Sequence, residues 1–278
     1  MKKFLLPRLI PVIFVLLAAA GVTAAETYEL KLGFRPGEVR RYNLEETLLL
    51  KSQIPGQGPL EIKSVIKAVL RQEVLRIDQE GTEMACRIEA WQRQNWANGE
   101  SFAADPKERE TLLGLRLRVK VTPQGEIRLL EPAQLPQGIS LDTYAGDYSF
   151  LPSRPVALGE EWTKTLSYNL GVVTCPTTVK SRLEKIQPAG NRGLAQISQE
   201  FQQEVPEFSL PLTEASGQLT AAGRFIGAGQ LLFDLEQGLV KEETHLIQGR
   251  LLTKVTSGEA RLEIPMDLEL TVIINLLP

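Results

Sequence analysis

The chain has one histidine, His245, two cysteines, Cys86 and Cys175, and aromatic residues at only 6% of its 278 positions. A lone histidine removes most Ser–His–Asp chemistry. With two distant cysteines it also leaves no set of ligands at zinc spacing. Lysine and arginine nowhere cluster, and the formal net charge is −3. That composition excludes nucleic acid or an anionic lipid surface as the main partner, because both require concentrated basic charge. After residue 25 no apolar run approaches the roughly 20 residues of a membrane-spanning helix, so the mature body is expected not to span a membrane.

The first 25 residues have a different character. Met1-Lys2-Lys3 is a basic start, Leu9–Gly21 is uninterrupted apolar sequence, and small residues occupy 18–25. This layout predicts a secretory signal peptide over 1–25, cut after Ala24 or Ala25, and hence an extracytoplasmic protein, periplasmic or secreted. No cysteine stands at the cleavage point to carry a lipid anchor. In an oxidising compartment Cys86 and Cys175 form a candidate disulfide, the alternative being two buried thiols.

What remains is patterned for strands. Residues 34–44, FRPGEVRRYNL, read as a blurred version of 152–166, PSRPVALGEEWTKTL. Two further landmarks follow in the same order. LRIDQEGTEMACRIEAW (75–91) matches LEKIQPAGNRGLAQISQEF (183–201), with Ile77 against Ile186, Gly81 against Gly190 and Ile88 against Ile197; VTPQGEIRLLE (121–131) matches DLEQGLVKEET (234–244). Three ordered landmarks predict a tandem duplication, with a first β-rich repeat over 26–148 and a second over 149–278, packed as one unit. The likeness also resolves residues 61–77, whose apolar positions suit a helix or a strand. Their counterpart at 171–186 is rich in Val and Thr and carries Pro176, so both are expected as strands.

Alternation at Leu44/Leu48/Leu50, at Leu117/Val119/Val121 and along Met266–Ile274, between glycine-marked turns, completes an all-β reading. The expected architecture is two antiparallel sheets covering each other's apolar faces as a sandwich, a curved open sheet or a half-barrel. One short helix is predicted at Asp105–Leu113, from Asp105 as N-cap and Pro106 at the first helical position. A weaker helix candidate lies in the connector at 140–151.

No catalytic residue, metal site or cofactor is indicated. The acidic pairs Glu45-Glu46, Glu160-Glu161 and Glu242-Glu243 place neighbours on opposite faces of a strand. Glu38 and Glu160 match between the copies and suit a structural turn. Asp142 and Asp147 flank a glycine without calcium-loop spacing. His245, in a strand-like stretch past a turn, reads as an edge or surface residue. Trp91 and Trp96, where a strand meets a polar loop, are the candidate ligand-binding residues. Trp91 is out of phase with Met84/Cys86/Ile88, so it faces the other way or follows a bulge.

PSRPVALGEEW followed by FDLEQGLVKEE resembles a class of uncharacterised exported bacterial proteins. There a phrase P-x-x-x-V-x-x-G-x-x-W, matched here from Pro152, opens the second half, and F-D-x-x-x-G marks a late hairpin. In strand-rich layout and address the chain is more distantly similar to periplasmic lipoprotein carriers of the LolA type, a resemblance that implies a curved sheet and lipid binding. The expectation is a non-enzymatic envelope module holding an apolar or lipid-like ligand. The alternative is a structural component that meets another envelope protein; a carbohydrate-binding or hydrolytic role ranks below both.

Overall fold

The computed structural model describes residues 26–131, 149–169, 173–191, 193–212, 217–257 and 260–278. The signal-peptide stretch, Asp142, Asp147 and most of the candidate helix at 140–151 lie outside the described residues. The protein is dominated by strands. A first group comprises β2 (Val39–Ile54), β3 (Gly58–Asp78), β4 (Gly81–Ala97), β5 (Glu100–Phe102), β6 (Arg116–Val121) and β7 (Ile127–Leu129). A second comprises β9 (Glu161–Asn169), β10 (Thr174–Gln187), β11 (Leu194–Leu212), β12 (Gly217–Asp234), β13 (Leu239–Ser257) and β14 (Ala260–Leu276). These 12 strands make one antiparallel sheet in the order β7-β6-β4-β3-β2-β14-β13-β12-β11-β10-β9, with β5 beside β4. Residues 61–77 are strand, within β3. The halves join where β14 pairs with β2, Leu270 opposite Leu48.

One helix is described, α1 (Pro106–Gly114), packed against β4 where β6 has ended. Its start follows from local chemistry: the Asp105 carboxylate accepts from the Lys107 N–H at 2.9 Å, and Pro106 has no N–H to leave unpaired. Leu112 is its fully buried anchor.

The halves are bonded alike where the repeated phrases lie. In the first, the Gly37 N–H donates to Val74 O and the Val74 N–H donates to Glu38 O; in the second, Gly159 and Leu183 do the same with Glu160. Gly37 and Gly159 have φ of 75° and 78°, which a Cβ would disfavour. The Glu38 and Glu160 carboxylates accept from the Arg35 and Ala157 N–H groups at 2.9 and 2.8 Å. Burial works upward on the Glu38 carboxyl, but its hydrogen bond and ion pair with Arg40 outweigh it, so the group lies below the usual range. Just beyond the turns, both halves carry a bulge, at Leu75 and at Glu184. The sequence matching needs two corrections. Gly81 opens β4 opposite Asp78, a place held in the second half by Leu194 opposite Gln187, while Gly190 lies in the turn before it. Val74 pairs with Met84 while Leu183 pairs with Ile197, so Met84 rather than Ile88 holds the place of Ile197. The reason is a longer second turn, residues 188–193 against 79–80.

The sheet is open and strongly curved. A strap, residues 29–37, follows β1 (Thr27–Tyr28), which pairs with β8 (Val156–Ala157). Within it the Leu32 N–H donates to Pro123 O in the β6–β7 turn at 2.9 Å, and the next residue, Gly33, donates to Gly238 O in the β12–β13 turn at 2.8 Å. Those turns belong to strands five steps apart, about 24 Å along a flat sheet at ~4.8 Å per strand. Consecutive residues bridge only about 10 Å. The sheet therefore bends to bring the turns together. Glycine permits it: Gly223, Gly227, Gly229 and Gly249 all face inward, where neighbouring side chains lie over them.

Inside the bend, at the strap end, lies the core. Leu30 and Leu32 pack with Tyr42, Val74, Met84, Leu183, Ile197 and Phe233, contributed by both halves. Arg40, itself 5% exposed, fastens the strap by donating to Gly33 O and by lying 4.5 Å above the Phe34 ring. The outer face carries cross-strand ion pairs such as Lys67–Glu45, Lys180–Glu161 and Arg250–Asp267. Strand β10 shows the division plainly from Thr174 to Leu183, with inner positions buried and outer ones exposed in alternation.

Candidate functional site

Residues directly opposed in an antiparallel ladder share a face. Strand by strand, Trp162, Ser181, Gln199, Gly229 and His245 lie opposite one another, and the row continues through Val272 to Glu46, Ile66 and Arg93. This largely polar row crosses the concave face, with core residues on both sides of it along β10 and β11. It has two clusters.

The first is built on β13. Glu243 and His245 are two residues apart, so both point inward, and they are 8% and 9% exposed. The Glu243 carboxylate and His245 Nε2 are hydrogen-bonded. The His245 ring lies 4.8 Å from that of Phe201, in the space that Gly229 leaves: a Cβ there would be 2.7 Å from Nδ1. His245 is thus an interior residue of a central strand, which corrects its reading as an edge or surface position. The strand-like stretch was legible. Its place between two other strands was not, because the sheet order depends on β14 returning beside β2.

The second cluster centres on Arg93. Its Nε donates to Ser64 Oγ and Asn95 Oδ1, both at 3.1 Å, and its Nη1 donates to Glu108 of α1 at 2.8 Å. Burial raises the Glu46 carboxyl above the usual range, and the Arg93 charge offsets part of that rise. Glu45, its neighbour, faces outward to Lys67 at 3.3 Å, as strand geometry requires.

Above the row lies a second apolar cluster. Cys175, Val205 and Phe225 are buried, and Ile247, Leu251 and Leu268 pack on them half-buried. All of these come from the sheet itself. Gln199 and Ser181 stand opposite each other, 2% and 1% exposed, flanked by Leu183 and Ile197 of the core on one side and Val179 and Phe201 on the other. Neither Gln199 Oε1 nor Nε2 has a hydrogen-bond partner, nor has Ser181 Oγ. Each buried polar atom left so costs about 1–3 kcal/mol. Ser181 between Val179 and Leu183, and Gln199 between Ile197 and Phe201, stand at apolar positions of the alternation. Their lack of partners was not legible there.

The two tryptophans do not share a site. Both lie within β4, on opposite faces. Trp91 is in the core, 6% exposed, after a bulge at Glu89 that restores it to the face of Ile88. Trp96 faces outward under Lys63, whose Nζ is 5.6 Å from its ring. Cys86 and Cys175 are free, buried and in separate apolar clusters, so the candidate disulfide is not formed. The strands carrying them sit near opposite ends of the sheet. Burial pushes the Cys86 thiol up to about 12 and raises that of Cys175. Neither is expected to react with a thiol reagent such as Ellman's in the native protein at pH 8, and both should react in denaturant. Prompt labelling of the native chain would contradict this burial.

Among the described residues, no three histidine, cysteine or acidic side chains converge as a metal-holding group, and no helix is long and apolar enough to cross a membrane. Compared with known protein families the chain matches none, and no curated protein matches it.

Proposed function

We propose that this is an exported, non-enzymatic binding module of the cell envelope that holds an apolar or lipid-like ligand against its concave face. One observation carries the reading. The inner face has an apolar cluster around Phe225 and Leu251 that is distinct from the structural core, with the polar pair Thr177 and Gln203 standing between Cys175 and Val205 of the one and Val179 and Phe201 of the other. A core built only for stability would be continuous, because buried polar groups weaken it. Half-buried Ile247, Leu251 and Leu268 offer apolar area worth about 25 cal/mol per Å² on being covered. The signal-like N-terminus supports an extracytoplasmic address.

Native mass spectrometry of the chain purified from its own host under non-denaturing conditions is the test. The expected spectrum contains the chain with a bound species of lipid mass, lost in Leu251→Asp, which places a charge within the apolar cluster. Wild-type chain carrying nothing, and failing to bind an apolar fluorophore, would sink the proposal.

A further inference from the structure

Given that reading of the concave face, the polar row specifies what kind of ligand it takes. Gln199 and Ser181 face each other across β10 and β11, and three of their polar atoms have no partner. On one side Trp162 has committed its Nε1–H to Phe150 O at 2.8 Å. On the other, β12 offers only Gly229, over which the His245 ring lies, so that strand supplies no side-chain partner. Toward the open end of the strands the inner face continues through Val179 and Phe201 to the apolar cluster. There Gln203 and Thr177 satisfy each other at 2.9 Å. Three of the five buried side-chain atoms without a partner among the described residues are therefore on Gln199 and Ser181, next to Val179 and Phe201; the others are Thr253 Oγ1, beyond Leu251 on the same face, and Arg87 Nε.

We propose that Gln199 and Ser181 receive the polar end of an amphiphilic ligand, and that this end is an uncharged group able both to donate and to accept a hydrogen bond, the hydroxyl of an acylglycerol being the simplest case. The complement follows from the atoms left free. Gln199 Nε2 needs an acceptor and Gln199 Oε1 needs a donor, while Ser181 Oγ can act as either. A hydroxyl meets both demands. A carboxylate or phosphate only accepts, and would leave Oε1 facing negative charge, with Glu243 nearby on the same face. Arg93 is already held by Glu108, Ser64 and Asn95. Lys164, opposite Val179 on edge strand β9 and so diagonal to Ser181, is the cation an anionic head would use. An inward lysine on an edge strand also deters pairing with another chain.

The experiment is displacement of a neutral apolar fluorophore, N-phenylnaphthylamine, from the full chain by 1-monooleoylglycerol and by oleate at pH 8. Monooleoylglycerol is expected to bind at least tenfold more tightly than oleate. Gln199→Leu should weaken monooleoylglycerol about tenfold, leave fluorophore binding unchanged and not lower the melting temperature. If that variant does not fold, Ser181→Ala, with an expected several-fold loss, takes its place. Undiminished monooleoylglycerol affinity in a folded variant would overturn the assignment. So would oleate binding as tightly as the glyceride, above all if Lys164→Gln abolished it, since the head group would then be an anion. Fluorophore binding without head-group preference removes this inference alone. A chain that binds no fluorophore removes the apolar site and this inference together.

Discussion

Gly238→Ala is expected to destabilise the protein by about 3–4 kcal/mol, against about 1 kcal/mol for Gly56→Ala. Both glycines have left-handed backbones, with φ of 64° and 79°, so the conformational cost of adding a Cβ is common to the two. Their surroundings differ. At Gly56, in the β2–β3 turn, nothing lies within 4 Å of the added atom. At Gly238 it would stand 2.3 Å from Gly33 N and 2.9 Å from Lys31 O, both backbone atoms of the strap. The strap has to move, which breaks the hydrogen bond from the Gly33 N–H to Gly238 O and loosens Leu30 and Leu32 from the core. Burying one leucine contributes about 1.5–3 kcal/mol, so partial loosening of two accounts for the excess. Urea unfolding followed by circular dichroism reads the difference directly. Equal losses at the two positions would mean that the strap does not hold the curved sheet together.

His245→Ala should be as damaging, for an electrostatic reason. The substitution leaves the Glu243 carboxylate in a buried position without its hydrogen-bond partner and opens a gap beside Phe201. Breaking a buried pair from one side costs about 3–5 kcal/mol, whereas replacing both members by apolar groups of similar volume is often neutral or stabilising. Glu243→Leu combined with His245→Phe is therefore expected to recover most of the loss. The double-mutant cycle should show a coupling of at least about 2 kcal/mol. Single substitutions costing under about 1 kcal/mol, or effects that simply add, would show that the pair is not coupled. Because the polar row costs stability, a more stable double variant that binds ligand poorly would connect the row to function.

The strands themselves were largely legible before any coordinates. The strand read from Val, Thr and Pro176 appears as β10, with buried and exposed sides alternating from Thr174 to Leu183, and Asp105-Pro106 starts the one described helix. The matching of Glu38 with Glu160 identified two turns that are bonded alike, because a turn is fixed by residues close in the chain. Local periodicity carried less far around Ile88 and Trp91. A bulge moves the phase by one residue, and a longer hairpin turn shifts the alignment, without any consistent mark in composition.

From the sequence alone came the strand class, the likeness of the two turns at Glu38 and Glu160 and the absence of zinc-ligand spacing, since all of these rest on residue type and near-neighbour spacing. The tertiary structure alone decided that the halves form one continuous sheet rather than two packed layers, that the sheet bends around a strap, and that His245, Gln199 and Ser181 look inward along one row. Those facts depend on which distant strands pair, and pairing is selected by the total burial of the assembled molecule.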